Sequence, residues 1–287
     1  MIIFGSIGIF RRNIALSSGL LAFSRGVIGV LFLCLFVKLR GRRIRHGLSR
    51  RGVLWLALSG AAIGFNWILL FEAYNRISVP VATLCYYMQP TIVILLSPLL
   101  LRERLTITKL ICACTAVLGM VCVSGVLENP ERAYSDVGGI LMALGAAVLY
   151  AAVIIMNKRS EPSDAYEKTI IQLSTAAVVL IPYILATENF QEIRFSLQNV
   201  ILLLIVGLVH TGIAYTLYFS SMDGLKGQTV AILSYIDPVT ALVLSAIVLN
   251  ESLSVLGMLG AVLILGSAFT SEWLPGVIQG FSKKPGQ

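Results

Sequence analysis

Tyr87-Met88-Gln89-Pro90 and, 148 positions later, Tyr235-Ile236-Asp237-Pro238 each set an aromatic residue, a polar residue and a proline in the middle of a long apolar run. Both runs end in similar tails, Leu101-Arg102-Glu103-Arg104-Leu105-Thr106 and Leu249-Asn250-Glu251-Ser252-Leu253-Ser254. Polar residues sunk at matched places in two hydrophobic runs point to a chain that repeats itself around a central pore or pocket. The surroundings agree. Of the 287 residues, 57% are hydrophobic and 13% charged, too apolar a balance for a water-soluble protein of this length. Runs of about twenty apolar residues, enough to cross a bilayer as helix, recur from end to end. The fold class is an all-α polytopic membrane protein.

Charged, Gly and Pro breaks divide the chain into ten spans, at 1–13, 19–37, 53–73, 79–101, 107–127, 137–157, 167–187, 199–221, 228–249 and 255–274. The connections leave no room for a soluble domain. At the 148 offset the third to fifth spans match the eighth to tenth, with Gly64/Gly212, Phe71/Phe219, Tyr87/Tyr235, Pro90/Pro238 and Glu103/Glu251 identical in one register. Two domains follow, 1–127 and 137–274. Each holds five spans, an odd number, so the halves insert as inverted repeats, a common architecture of secondary transporters. The first span is short for a bilayer core of ~30 Å. Its Ile2-Ile3-Phe4-Gly5 aligns with Val148-Leu149-Tyr150-Ala151 of the longer sixth span, so the first helix is expected to begin upstream of Met1.

Net charge is +8, but the basic residues form no continuous stripe for nucleic acid. They gather instead in alternate connections. With the Lys38–Arg51 cluster cytoplasmic, 16 Lys and Arg fall inside and five outside, Arg25 lying within a span. The positive-inside rule then places the chain in the cell membrane, inner or plasma, with both termini cytoplasmic. Its surroundings are the lipid bilayer. No Cys or His spacing suits a metal and no cofactor motif stands out. The absence of G-x-x-x-x-G-K-[ST] removes direct ATP drive.

A charge at the bilayer centre costs ~2.5–3.5 kcal/mol on insertion scales, so ionisable residues there face protein or water. Gln89, Asp237 and His210 fall near the middle of their spans. Asp237 reads either as a partner for a substrate ammonium, a cation or a coupling proton, or as a structural acceptor. His210 reads as a proton site or as a neutral hydrogen-bonded group between helices. Helical spacing puts Thr211, Tyr215, Tyr218 and Met222 on one face and their mates Ile63, Trp67, Leu70 and Tyr74 on another. Aromatics with polar tips suit a pocket for an amphipathic metabolite, or plain helix packing. Tyr87, Tyr235 and Tyr150 join the candidate lining, with Asn66, Tyr86 and Ser234 weaker. Arg25 could pair with a carboxylate or phosphate. Glu103 and Glu251, beside the N-cap residues Thr106 and Ser254, read as structural. Gly257-x-x-Gly260 reads as internal packing or a homodimer contact.

Phe71-Glu72-Ala73-Tyr74, Gln89-Pro90, Arg102-Glu103-Arg104-Leu105, Asp237-Pro238 and Asn250-Glu251-Ser252-Leu253 together resemble the paired signatures of the drug/metabolite transporter superfamily, in its EamA-type branch. The resemblance covers nearly the whole chain. It implies a ten-helix, pseudo-twofold basket whose cavity is lined by helices one, three, four, six, eight and nine. Members mainly export amino acids and related small metabolites; others move sugars, nucleotide sugars or drugs. The expected function is thus a secondary transporter or facilitator of small organic solutes and not an enzyme. A membrane enzyme acting on lipid phosphates would need clustered carboxylates for Mg²⁺, and the acidic residues here are scattered.

Overall fold

The computed structural model describes residues 1–41, 48–102, 106–124, 127–128, 130–161, 164–189, 196–214, 217 and 236–282, with backbone alone at 97, 130–135, 272 and 274–282. The described residues are mostly helical, with short connections and no strand among them. In chain order the helices are α1 (Ile2–Gly5), α2 (Ile7–Asn13), α3 (Ser18–Leu39), α4 (Arg50–Arg76), α5 (Val79–Tyr86) and α6 (Gln89–Leu100). Then follow α7 (Ile107–Val123), α8 (Pro130–Lys158), α9 (Ala165–Thr187) and α10 (Leu197–Ile205), which runs on as a π-helix over Val206–Ile213. The last two are α11 (Ile236–Val248) and α12 (Val255–Ser282). Five spans among the described residues are long and apolar enough to cross a membrane, Ser18–Leu39, Arg50–Arg76, Val79–Leu96, Asp136–Lys158 and Ala165–Thr187. Leu31, Leu99, Leu118, Leu185 and Val262 stand fully on the outside. Such an apolar exterior is at home in lipid. The molecule is a multi-pass membrane protein.

Helix starts follow the local chemistry. Ser17, Ser49, Thr106, Ser196 and Ser254 each accept a hydrogen bond from a backbone N–H three residues on, satisfying donors that the first turn leaves open. Thr106 and Ser254 are the two caps expected from sequence. Arg11 is buried at the turn between α2 and α3, where it donates to the carbonyls of Ile14 and Leu16 at 3.0 Å and to Ser18 Oγ at 3.2 Å. The fourth span, expected as one helix over 79–101, is broken at Tyr87-Met88. Pro90 has no N–H to offer the Tyr86 carbonyl, so the hydrogen-bond ladder cannot run on unbroken through this point. The chain tightens there, with Met88 N–H bonding Cys85 O at 3.1 Å. Both tails leave their helices through the left-handed region, Arg102 at φ 57° and Asn250 at φ 54°. These are mated positions, and a non-glycine residue there is uncommon.

The eighth span departs from expectation. The regular helix expected over 199–221 gives way over Val206–Ile213 to the π-helix, with its wider i→i+5 turns. The cause lies in packing against α3. Gly207 and Gly212 let Ile28 and Phe32 press onto the helix backbone, so that a Cβ on Gly207 would lie 2.6 Å from the Ile28 Cβ. Thr211 in turn fills the space beside Gly29.

α7 and α12 approach as closely, through Gly119 and Gly260. A Cβ on Gly119 would meet the Gly260 carbonyl at 2.7 Å. Gly260 therefore serves internal packing, as small residues do between membrane helices. Gly266, on the same helix, has open space around it. Gly260→Val should cost about 1–3 kcal/mol by overpacking, whereas Gly266→Ala should be neutral or mildly stabilising. Thermal unfolding in detergent micelles measures both; equal effects would mean that α7 and α12 do not meet this way.

Candidate functional site

The face of α4 turned inward carries Trp67, Leu70, Phe71 and Tyr74, spaced three and four apart so that they stack along one side of the helix. All four are buried, and all line a cavity of about 190 Å³, space for a small organic molecule rather than a single water. α5 closes a second side with Thr83, Tyr86 and Tyr87. Tyr74 and Thr83 join hydroxyls at 3.3 Å. Tyr86 sits with its ring 5.8 Å from that of Tyr150 on α8 and 6.1 Å from that of Tyr87.

The break in the fourth span opens α6 onto the same space. Gln89, its first residue, lines the cavity. Its Oε1 is buried with no hydrogen-bond partner among the described residues. Asp237, near the start of α11, lines the cavity as well, within hydrogen-bonding reach of the Tyr87 hydroxyl. α1 delivers Phe4 and Gly5, and Gly5 packs directly on the Asp237 carbonyl and the Thr240 side chain. Any larger residue at position 5 would push α1 off α11.

Of the residues expected from sequence, Asp237, Gln89, Trp67, Tyr74, Tyr87 and Tyr150 come together on this one cavity. Tyr215, Tyr218 and Tyr235 lie outside the described residues. His210 and Thr211 are fully buried but are not among the cavity-lining residues. His210 Nε2 and Ser6 Oγ are 2.9 Å apart, and the imidazole sits edge-on to Phe10 at 4.6 Å. It ties α2 to the π-helix, which matches its reading as a hydrogen-bonded group between helices. Thr211 faces α3, its side chain set beside Gly29. Its Oγ1 accepts from Arg25 Nε at 3.2 Å and donates to the Val206 carbonyl at 3.2 Å.

Arg25 is the main addition. It is 4% exposed and lines the cavity from α3, with its guanidinium 4.4 Å above the Trp67 ring and 5.6 Å from the Phe71 ring. The available signal was a lone cation seven residues inside an apolar span. Phe71, marked in the sequence as a repeat identity but not as lining, and Thr83, which carried no mark, are further lining residues. Asn66, a weaker candidate, instead donates to the Ala146 carbonyl and fastens α4 to α8.

Carboxylates lock helix starts at both ends of the bundle. At one end Glu251 Oε2 accepts from the Val79 N–H at 2.7 Å, while its Oε1 pairs with Arg12 at 2.9 Å. Arg12 also donates to the Ile77 carbonyl at 2.8 Å. One side chain thus fixes the start of α5, the helix that carries Thr83 and Tyr86 and ends on Tyr87 as its C-cap, against α2. At the other end Glu161 accepts from the Ser49 hydroxyl and from its N–H. The hydroxyl first, then the N–H, hold that exposed carboxyl below the usual carboxylate range.

Comparison with known proteins gives a consistent picture. The family model of the EamA-like transporter family matches residues 1–125 and 137–271. The chain is 31% identical over 271 residues to the uncharacterized transporter YxxF of Bacillus subtilis, covering 94% of this chain and 86% of that one. Protein PecM of Dickeya dadantii is 26% identical over 220 residues, with 75% and 73% covered. A solved crystal structure shares the fold at a TM-score of 0.66 with 19% identity, covering 96% of this chain and 95% of the other.

The Glu251 clamp can be tested directly. Glu251→Ala strands the Val79 N–H and the Arg12 guanidinium together and should lower stability by about 1–3 kcal/mol. Arg12→Ala should cost less, since a part-exposed ion pair contributes about 0–1 kcal/mol and Glu251 keeps its hold on α5. Thermal unfolding of both variants in micelles checks the ranking; a larger loss in Arg12→Ala would contradict it.

Proposed function

Because the chain belongs to the EamA-like transporter family, and is a membrane transporter of the drug/metabolite type, we propose that it is a secondary transporter or facilitator of small organic solutes that exports amino acids or related metabolites. It works by alternating access, exposing one central cavity to each side of the cell membrane in turn. Ten helices form two inverted five-helix repeats, 1–127 and 137–274, with both termini in the cytoplasm. The observation that carries this reading is the meeting of Gln89 and Asp237 on one cavity. They hold the same place in the two repeats, so the site lies where the halves join.

Other features support it. Phe4 and Tyr150, mates at an offset of 146, line the cavity from α1 and α8. Arg102 and Asn250, mates at 148, share the left-handed conformation. The contact between α3 and the π-helix has its counterpart in the packing of α9 on α4, where Gly60 and Gly64 lie against the α9 backbone at Gln172 and Ala176. The aromatic walls and few polar groups match the usual make-up of a small-molecule site. Positive charge in alternate connections supports the orientation.

Asp237 is the group that can carry a coupling proton or meet a substrate ammonium. Counterflow of a panel of amino acids, sugars, nucleosides and drugs in proteoliposomes tests the substrate class. Saturable counterflow of amino acids or related metabolites is the expected result; flux confined to the other classes would overturn it. Asp237→Asn should reduce that flux at least tenfold and flatten its dependence on pH and membrane potential. If the variant kept both dependences, Asp237 would have no part in coupling.

A further inference from the structure

Arg25 is the cavity group to which the proposed function gives no part, and three observations bear on it. First, it is buried within the span Ser18–Leu39, where a charge is costly and is usually found at a pathway or site. Second, its plane is fixed. The guanidinium lies over Trp67 at 4.4 Å, and Nε donates to Thr211 Oγ1 at 3.2 Å. A guanidinium held flat in this way matches the two oxygens of a carboxylate, which a lysine ammonium does not. Third, the cavity has an opposite pole. Asp237 supplies a carboxylate and Gln89 a buried amide oxygen with no donor among the described residues; both accept hydrogen bonds, as an ammonium requires.

We propose that Arg25 is the specificity-determining residue for a carboxylate on the transported solute, and that Asp237 with Gln89 takes the solute's ammonium. The proposal rests on the transport reading above. Leu70, Phe71 and Tyr86 stand on the same cavity as apolar wall for the rest of the solute. The repeat leaves this arrangement one-sided. The positions that mate with Arg25 at offsets of 146 to 148 are Ile171, Gln172 and Leu173, none of them cationic. Gln172 is occupied with Ser59 Oγ at 2.7 Å and Asn157 Oδ1 at 2.8 Å. The mate of Asp237 is the neutral Gln89. One anion-binding pole on α3 and one cation-binding pole on α11 fix the direction in which a zwitterion lies, and the zwitterion then bridges the two repeats.

The test uses the full chain in proteoliposomes and three solutes: L-phenylalanine, its methyl ester, which masks the carboxylate, and 3-phenylpropanoate, which lacks the ammonium. Competition against counterflow gives an apparent affinity for each. The wild-type protein should prefer phenylalanine to the ester at least tenfold. Arg25→Gln should shrink that preference to within about twofold, and Arg25→Lys should restore part of it. Asp237→Asn should leave the ester preference intact while abolishing that over 3-phenylpropanoate. Should Arg25→Gln fail to fold, the wild-type ester comparison and Arg25→Lys decide alone, since the lysine keeps the charge and loses the planar fork. No ester discrimination in the wild type, or full discrimination in Arg25→Gln, overturns the assignment while saturable flux leaves transport standing. Absence of saturable flux for every solute overturns transport itself, and this proposal with it.

Discussion

A guanidinium and a carboxylate held inside apolar helices set the terms on which the rest of this molecule is built. In a hydrocarbon interior no water is at hand to satisfy a polar group, so Arg25 and Asp237 need neighbours brought to them. Arg25 meets Thr211 and the face of Trp67. Thr211 is in position because the π-helix packs on α3, where Gly29, Gly207 and Gly212 let the two backbones close. Asp237 has Tyr87 in reach because α5 ends just before Pro90. Gly5 lets α1 lie directly on the Asp237 backbone. Local chain chemistry and the cavity's charge pattern are thus one problem solved together.

The ends of the bundle obey a second rule. A helix start carries open N–H donors, and here Glu251 and Glu161 each satisfy one from a distant part of the chain. These are junctions between elements, unlike the serine and threonine caps, which act within their own helix. Glu251 fixes α5, and α5 bears two residues of the cavity wall, Thr83 and Tyr86, with a third, Tyr87, at its C-cap. In the proposed cycle such a junction is a natural place for the halves to part, since the Arg12–Glu251 pair is partly exposed, 29% and 22%, and can pass to water.

Sequence carried a good deal of this and missed the rest for physical reasons. The apolar runs between charged breaks located most of the described helices to within a few residues, because span length is set by the bilayer, but α8 begins at Pro130, ahead of the sixth span at 137. α12 runs on past 274 through Pro275 and Gly276, which read as a stop because proline removes an N–H and glycine is a poor helix former. Gln89, Asp237, Trp67, Tyr74, Tyr87 and Tyr150 were readable as candidate lining because polar or aromatic residues in an apolar run stand out. Thr211 packs beside Gly29 of α3 and is not among the cavity-lining residues, a placement set by tertiary packing that helical spacing does not carry. Arg25 stood out as a buried charge, but its stacking on Trp67 joins residues on different helices. Glu251 read as structural, while its partners Arg12 and Val79, more than 170 positions away, had no sequence mark.

The central claim is that the cavity shared by Gln89 and Asp237 is the solute's path across the membrane. A single cysteine at Tyr86, in a chain whose five native cysteines are replaced, measures this most directly. An impermeant thiol reagent is applied to right-side-out and to inside-out vesicles, with and without a transported solute. Labelling from both sides, slowed by the solute in each case, is what alternating access through this cavity predicts. Labelling from one side only, or labelling indifferent to a solute that the protein demonstrably transports, would contradict it.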